Sequence, residues 1–455
     1  MSIITVNPAT EEILKEYDEY SYEKIDKTIQ QANQAHVIWK ETSFSERSKL
    51  MLNAASILRN KRKEYAELMA LEMGKPLAQG LSEADKCAWV CEYYAENAEQ
   101  QLKDEHIKTE MTKSYVTFNP LGVVLAIMPW NFPFWQVFRF AAPALMAGNA
   151  GILKHSRNTM GCGIAIEKIF LEAGFPEGLF SNLVVGSSIM EKVIEHPLIQ
   201  AVTLTGSTPV GQQVAAKAGS LIKKTVMELG GSDPYIILED ADLDLSAETC
   251  VNARLINSGQ SCIAAKRFIV VKSVLKQFEE LFVEKMRTRK MGNPFDADVT
   301  VGPQARKDLQ IDLHKQVTES ISKGAKLLLG GYIPEGKGYF YPPTVLTNVA
   351  KGTPAYIEEL FGPVAAIIPV ENETQAIEIA NDTIFGLGAA VFTNDLERGE
   401  RIASKMLNAG CCFVNEFVKS DPRLPFGGIK QSGYGRELSH FGIKEFVNIK
   451  TVCVK

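Results

Sequence analysis

The chain has 455 residues and a formal net charge of −5, with 45% hydrophobic and 23% charged residues. Its length allows two or three domains with sizeable cores, and its composition is ordinary for a globular protein. The negative net charge argues against nucleic acids and anionic membranes as partners.

The first hundred residues are predicted to be mainly helical. Residues 1–8 lack a basic region followed by a long apolar stretch, and no uncharged apolar run approaches the roughly 20 residues of a membrane-spanning helix. We therefore expect a cytoplasmic protein without a membrane partner. Within residues 21–102, Ser43 and Glu46 form a capping-box pattern, and helical spacing of apolar residues continues until Gly74 and Pro76.

The rest of the chain is predicted to form sheets. Residues 103–118 alternate like strands, which indicates a hairpin. Between 120 and 240, short β-type runs alternate with helical stretches, which is typical of a parallel α/β sheet; the runs are 123–127, 151–153, 181–185, 201–204 and 235–238. A second α/β series follows from about 250 to 435, including runs at 268–271 and 389–392. The last fifteen or so residues alternate again, so the hairpin and this tail are expected to form a separate small sheet.

Two segments after predicted strands suit a nucleotide. Gly206 and Ser207 lie between a strand and a helix, where a glycine lets the backbone approach a phosphate and the free amides of the helix attract its charge. Lys154 and Arg157 follow another strand and suit ribose hydroxyls and a phosphate. Taken singly, each segment is also typical of a plain turn, and the glycine spacing departs from GxGxxG.

Cys262 differs from the other seven cysteines because it follows a polar, flexible turn at 257–261. The chain has no CxxC pair, so neither a zinc site nor a disulfide scaffold is indicated, and we expect no metal. Most of the cysteines are expected to be small buried apolar groups.

Six segments, read together, resemble the aldehyde dehydrogenase superfamily. In order, they are 129–133 (PWNFP), 206–207 (GS), 228–231 (ELGG), 259–262 (GQSC), 359–363 (ELFGP) and 425–437 (PFGGIKQSGYGRE). The resemblance covers almost the whole chain. It implies an α/β protein with a Rossmann-like nicotinamide dinucleotide-binding domain at 1–102 and 119–230, a catalytic α/β domain at 231–436, and a β oligomerisation element at 103–118 and 437–455. It also implies a homodimer or homotetramer.

The resemblance implies oxidation of an aldehyde through a thioester. Cys262, as thiolate, would attack the aldehyde carbon. The Asn131 side chain and the Cys262 N–H would stabilise the oxyanion, and Glu228 would activate water to hydrolyse the thioester. Taken alone, an Asn before Phe-Pro is also a helix cap, and a Glu before Gly-Gly is also a loop carboxylate.

The expected cofactor is NADP+ in preference to NAD+. The resemblance assigns Lys154 to the adenine-side ribose, Ser207 to the pyrophosphate, Glu359 to the nicotinamide ribose and Trp130 to the wall of the site. Relatives selective for NAD+ carry a glutamate at the position of Arg157, so the positive charge here favours a 2′-phosphate. The full set of expected cofactor contacts is Trp130, Lys154, Arg157, Ser187, Gly206, Ser207, Glu359 and Phe361.

The expected substrate is an aldehyde that carries a carboxylate. Trp135 and Arg139 share one face of an apolar helix, where a guanidinium is costly unless a protein or ligand anion pairs with it. The segment is similar to succinate-semialdehyde dehydrogenases, in which this arginine receives the substrate carboxylate. Residues 420–426 resemble the short bacterial branch of that group, which makes Ser420 or Arg423 a second carboxylate contact.

Two departures from the longer branch limit the resemblance. Ile256 stands where that branch has a further arginine, and Ala264 stands where many members have a second cysteine, so their redox switch is not expected. A broad-range or other polar-aldehyde dehydrogenase is one alternative. A catalytically retired scaffold with the same fold is another, although it would be expected to have lost Cys262 or Glu228.

Overall fold

The structure is a computed structural model that describes residues 2–455. Its helices are α1 Tyr22–Trp39, α2 Phe44–Asn60, α3 Arg62–Met73, α4 Leu77–Gln101, α5 Trp135–Met146, α6 Met160–Glu172, α7 Met190–Glu195, α8 Thr208–Ser220, α9 Leu243–Leu255, α10 Lys272–Arg287, α11 Lys307–Ser322, α12 Pro354–Ile357, α13 Glu373–Asn381, α14 Leu396–Lys405 and α15 Ser439–Gly442. Short 3-10 turns cover Arg157–Thr159, Ile256–Gly259 and Lys430–Ser432.

The strands fall between these helices and confirm most of the predicted β-type runs. They are β1 Ser2–Val6, β2 Ile13–Asp18, β3 Glu105–His106, β4 Lys113–Pro120, β5 Val123–Ile127, β6 Ala150–Lys154, β7 Phe180–Asn182, β8 Ile199–Thr205, β9 Lys224–Glu228, β10 Pro234–Ile237, β11 Arg267–Val271, β12 Lys326–Leu329, β13 Thr344–Thr347, β14 Val364–Val370, β15 Gly388–Phe392, β16 Cys411–Val414, β17 Gly433–Tyr434 and β18 Val447–Val454.

The helical prediction for residues 21–102 is confirmed by α1 to α4. Ser43 caps α2 by accepting a hydrogen bond from the Glu46 N–H at 3.2 Å. Gly74, with φ of 76°, ends α3 in the left-handed conformation that glycine adopts most easily. The antiparallel pair β1–β2 before these helices was not predicted from the sequence.

Two α/β sheets form the body of the molecule, as predicted. The first has six strands in the order β17-β9-β8-β5-β6-β7, parallel except for β17. The second has seven strands in the order β12-β13-β14-β11-β10-β15-β16, parallel except for β12. The sequence predicts the run at 235–238 as part of the first α/β series, and this prediction is wrong. Its strand β10 lies inside the second sheet because it pairs with β11 and β15.

A third sheet joins the predicted hairpin to the C-terminal tail. β4 pairs antiparallel with β3 on one side and with β18 on the other, from Lys113↔Val454 to Pro120↔Val447. Among residues 2–455, β18 has no second strand neighbour, so one edge of this sheet is open. β17 already belongs to the first sheet at Gly433–Tyr434, before the proposed domain boundary at 436. The three-part division by residue number remains a prediction.

None of the helices in residues 2–455 combines the length and apolar character needed to cross a lipid bilayer. The described residues contain no group of three or more His, Cys, Asp or Glu side chains arranged to hold a metal ion. All eight cysteines are free thiols; four are buried, and Cys262 is partly buried.

Candidate active site

The loop before Cys262 has an unusual backbone. After α9 ends, Asn257, Ser258 and Gly259 all adopt left-handed conformations, with φ of 53°, 57° and 76°. Such conformations are strained for residues other than glycine and persist only where the surroundings fix them. A side chain at Gly259 would place its Cβ 2.2 Å from the Gly362 carbonyl oxygen, so only glycine fits there.

Buried donors hold this loop in place. The Asn257 N–H donates to the Gln79 side chain at 2.7 Å, and Arg254 donates to the Gly259 carbonyl oxygen at 2.6 Å. The Lys266 ammonium donates to the carbonyl oxygens of Ser261 and Cys262, both at 2.8 Å. These bonds position Cys262 through its own backbone, so a substrate meets a preorganised thiol.

Cys262 lies on the wall of a cavity of about 300 Å³. Burial raises the pKa of its thiol to about 12, against the opposing charges of Lys266 and Arg139. The Cys262 N–H donates to no acceptor among residues 2–455, so it can donate to the oxyanion of an adduct whose carbon is bonded to the sulfur.

Asn131 is buried and tied to the same loop. Its side-chain amide donates to the Gln260 carbonyl oxygen at 3.1 Å, and the Asn257 side chain donates to the Asn131 carbonyl oxygen at 2.6 Å. One of the two Asn131 amide hydrogens therefore remains for an oxyanion. The structure thus brings Asn131 together with the segment that carries Cys262.

The helix-cap alternative for Asn131 is wrong. α5 begins at Trp135, and its first amides, those of Phe134 and Trp135, donate to the Glu83 carboxylate at 2.9 Å each. Glu83 is itself buried and paired with Lys75. Sequence reasoning missed Glu83 because no local pattern connects α4 to an amide 51 residues away.

Glu228 ends β9 with its carboxylate buried. Neither carboxylate oxygen has a hydrogen-bond partner in the described chain. Burial and the nearby Glu437 carboxylate raise its pKa well above the usual range, while Arg139 and Arg436 act in the opposite direction. A Cβ on Gly427 would lie 2.7 Å from its Oε1, so the carboxylate adjoins the glycine turn at 427–428.

Glu359 connects the two segments that carry Glu228 and Cys262. Its carboxylate accepts a hydrogen bond from the Gly231 N–H at 3.0 Å and lies 3.6 Å from the Lys266 ammonium. A Cβ on Gly231 would lie 2.6 Å from the Cys262 carbonyl oxygen. Segments 228–231, 259–262 and 359–362, distant in sequence, are therefore in contact.

The expected phosphate contacts lie on the carboxyl side of the first sheet. Gly206 and Ser207 connect β8 to α8, and the Ser207 side chain caps none of the first amides of α8. Lys154 ends β6, and its ammonium has no hydrogen bond or ion pair within residues 2–455. Burial and the charge of Arg157 lower its pKa to about 8. These groups fit an anionic ligand such as a dinucleotide.

The remaining cofactor positions are partly exposed. Trp130 and Phe361 pack edge to face with ring centroids 5.7 Å apart. Ser187 is exposed in the loop after β7. Arg157 is also exposed; it donates to the Ser2 carbonyl oxygen and lies 3.9 Å from the Glu19 carboxylate. Sequence analysis missed Glu19, which the unpredicted β1–β2 hairpin brings to Arg157.

Arg139 and Trp135 line the same cavity as Cys262. Arg139 is buried, forms an ion pair with Glu437, and lies 4.7 Å from the centroid of the Phe426 ring. The arginine is therefore paired with a protein carboxylate while it also forms part of the cavity wall. Of the two partners that the sequence left open for Arg139, the structure shows the protein carboxylate; binding of a ligand anion stays a prediction.

Ser420 lines this cavity, whereas Arg423, the other predicted second carboxylate contact, is not among the lining residues. The Arg423 side chain is 67% exposed, donates to the Asp421 carboxylate at 2.9 and 2.7 Å, and does not line the cavity. The Arg423 guanidinium is therefore paired with a protein carboxylate two residues away in the sequence. Sequence reasoning also missed Lys86 on α4, whose ammonium donates to Ser420 Oγ at 2.8 Å.

The aldehyde dehydrogenase family model matches residues 1–452. The chain belongs to the aldehyde dehydrogenase family. This confirms the family predicted from the six sequence segments.

Within the aldehyde dehydrogenases, the chain is similar to proteins named for one substrate. It is 47% identical to a probable NADP+ succinate-semialdehyde dehydrogenase of Synechocystis and 46% identical to succinate-semialdehyde dehydrogenase [NADP(+)] 1 of Mycobacterium tuberculosis, in each case over 100% of both chains. A crystal structure of succinic semialdehyde dehydrogenase from Streptococcus pyogenes in complex with NADP+ matches with a TM-score of 0.97 and 36% identity over 99% of both chains. The predicted fold class is thereby confirmed.

Proposed function

We propose that this aldehyde dehydrogenase oxidises succinate semialdehyde to succinate, with NADP+ as the preferred hydride acceptor. The observation that carries the proposal is the composition of the cavity wall, which places the Cys262 thiol and the Arg139 guanidinium in one cavity. A cationic wall favours a substrate with a negative charge at the end opposite its aldehyde. The names of the Synechocystis and Mycobacterium relatives support the same substrate.

The acylation half of the reaction uses the loop at 257–262. The Cys262 thiol first loses its proton to solvent, and the thiolate then forms a bond to the aldehyde carbon. The carbonyl oxygen becomes an oxyanion that accepts from the Asn131 amide and the Cys262 N–H. NADP+, when bound, supplies the acceptor for the hydride that this carbon then loses. The products of this half are a thioester on Cys262 and a reduced cofactor.

The deacylation half uses Glu228. Its carboxylate takes a proton from water, whose oxygen adds to the thioester carbon. Collapse of that adduct breaks the carbon–sulfur bond, returns the thiolate to Cys262 and releases the carboxylic acid; Glu228 then passes its proton to solvent. A buried carboxylate without hydrogen-bond partners suits this role because no protein donor competes for the proton-accepting oxygen.

The NADP+ preference is assigned to Lys154 and Arg157. Lys154 is the last residue of β6 and Arg157 follows three residues later, so two cations lie at this strand end, and Lys154 has no protein anion as a partner. Glu19, 3.9 Å from Arg157, opposes the preference because it would repel a 2′-phosphate. The net selectivity for NADP+ over NAD+ is therefore expected to depend on both Arg157 and Glu19.

Arg157→Glu is expected to lower the ratio of kcat/KM for NADP+ to kcat/KM for NAD+ by about tenfold. The expected change is modest because an exposed charge contributes little to the binding free energy of the cofactor. Glu19→Gln should shift the ratio in the other direction. Steady-state kinetics with both cofactors measures the two ratios, and Arg157→Gln separates loss of attraction from added repulsion. A wild-type enzyme with a lower KM for NAD+, left unchanged by Arg157→Glu, would contradict the assignment.

The proposed substrate is tested with two aldehydes of equal carbon number. We expect kcat/KM for succinate semialdehyde to exceed that for butyraldehyde by at least about 100-fold, because a buried cationic wall rejects an analogue without the anion. Equal values would instead support the broad-range alternative. The comparison uses the wild-type enzyme because replacing Arg139 would leave Glu437 buried without its partner.

We further propose a homodimer or homotetramer assembled through the sheet β18-β4-β3. Its open edge at β18 supports this assembly because an unpaired strand edge is a template for pairing with another strand. A cytoplasmic location is proposed with it.

A further inference from the structure

Lys86 lies on the cavity wall without a carboxylate partner. It projects from α4 into the wall that Cys262 and Ser420 also form. Its ammonium donates to Ser420 Oγ at 2.8 Å and lies 4.4 Å from the centroid of the Trp135 ring. No carboxylate of residues 2–455 lies within salt-bridge distance of it.

The two carboxylates whose charges act on Lys86, Glu83 and Asp421, are both engaged with other groups. Glu83, one turn earlier on α4, is paired with Lys75 and accepts the first amides of α5. Asp421 is held by both the side chain and the backbone N–H of Arg423. Neither carboxylate neutralises the Lys86 charge by direct contact.

A second cation, Arg139, makes it more costly to bury the Lys86 charge at this position. Arg139 repels Lys86, and burial together with this repulsion lowers the Lys86 pKa to about 8, while Cys87, Glu83 and Asp421 act in the opposite direction. A partly buried ammonium that contacts only a hydroxyl and an aromatic ring is unfavourable unless an anion joins it.

We propose that Lys86 binds the substrate carboxylate directly, with the Ser420 hydroxyl as a second donor, while Arg139 stays paired with Glu437. The ammonium has three donors and uses one on Ser420 Oγ, so two remain. Because Ser420 Oγ accepts from Lys86, its own hydrogen is free to donate to the ligand. This inference rests on the proposed function, and it adds a carboxylate contact on α4 to the cationic wall that Arg139 forms on α5.

The decisive variant is Lys86→Met, which keeps a long apolar side chain over Trp135 and removes the charge. We expect kcat/KM for succinate semialdehyde to fall by about 100-fold, mainly through KM, because the carboxylate loses its ion pair. kcat/KM for butyraldehyde should stay within about threefold, since this substrate has no group for Lys86 to bind. Butyraldehyde turnover therefore also reports that the variant folds.

Lys419→Met is the matched control. Lys419 borders the same cavity, but its ammonium is 2.9 Å from the Glu416 carboxylate and is half exposed. A general effect of cationic charge near the cavity would lower succinate semialdehyde turnover in both variants. A specific contact at Lys86 lowers it in Lys86→Met alone.

The pH dependence of the preference for succinate semialdehyde over butyraldehyde gives a second test, because the direction of its change with pH is predicted. The ratio of kcat/KM for succinate semialdehyde to that for butyraldehyde cancels the ionisations of Cys262 and Glu228, which both substrates share. In the wild type the ratio should fall as pH rises through about 8, where Lys86 loses its proton. Lys86→Arg should keep the ratio high and remove its fall, because arginine stays charged.

The outcomes separate this inference from the proposed function. A wild type that does not prefer succinate semialdehyde overturns both. A wild type that prefers it, with the preference intact in Lys86→Met, overturns the Lys86 contact alone. Equal losses with both aldehydes also overturn it, because they indicate a role in positioning α4 or Trp135 instead.

Discussion

Cys262→Ala is expected to lower the rate of aldehyde oxidation by more than about 10⁴-fold, the scale on which loss of a covalent nucleophile affects hydrolytic enzymes. Without the sulfur no thioester forms, and the Asn131 amide and the backbone N–H have no covalent adduct to stabilise. Formation of reduced nicotinamide with succinate semialdehyde measures the effect. Cofactor binding should be unchanged, because the expected phosphate contacts lie at Lys154 and Ser207, on other segments of the chain.

The matched control for this loss is Cys412→Ala. Cys412 is also partly buried, but it packs in the core of the second sheet. Its replacement should change turnover little. A Cys262→Ala enzyme that still oxidises aldehydes at a comparable rate would remove Cys262 from the nucleophile role and with it the thioester mechanism.

The fold could be predicted from the sequence because its signals are local, whereas the roles of the central residues were predicted from the resemblance of six segments read together. The β-type runs became strands, and segment 259–262 lies in a loop whose glycine no other residue could replace. Helical periodicity identified the helices of residues 21–102 because apolar spacing reflects which face is buried.

The electrostatic setting could not be predicted, since it depends on residues far apart in the chain. Glu83 caps α5 across 51 residues, and Glu437 reaches Arg139 from the C-terminal region. Lys86 is one charged residue in a helix of mixed composition, so nothing in its neighbours distinguishes it from a solvated lysine. Arg423 is the opposite case, because its partner Asp421 is two residues away and a local pairing was available from the sequence.

Glu228→Gln is expected to lower steady-state kcat by about 10³-fold, which is within the range of effects seen when a general base is lost. The first turnover should still produce reduced cofactor. The amide cannot take a proton from water, so the thioester accumulates on Cys262. The fold should persist because neither Glu228 oxygen has a protein partner to lose. We expect stopped-flow measurements to show a burst of reduced cofactor equal to the enzyme concentration, followed by slow turnover. Glu437→Gln would be a poor control, since it would unpair Arg139.

The pH profile then distinguishes a base from a residue that only shapes the site. Burial and Glu437 raise the Glu228 pKa well above its usual range, so the proton-accepting form becomes more abundant as pH rises. Wild-type deacylation, followed as thioester decay in single-turnover experiments, should therefore accelerate as pH rises through this raised pKa. Glu228→Gln should lose that acceleration except for a shallow contribution from hydroxide. If the variant keeps the wild-type steady-state rate and slope, another group activates water, and the buried Glu437 carboxylate, whose charge acts on Glu228, is the first candidate to replace.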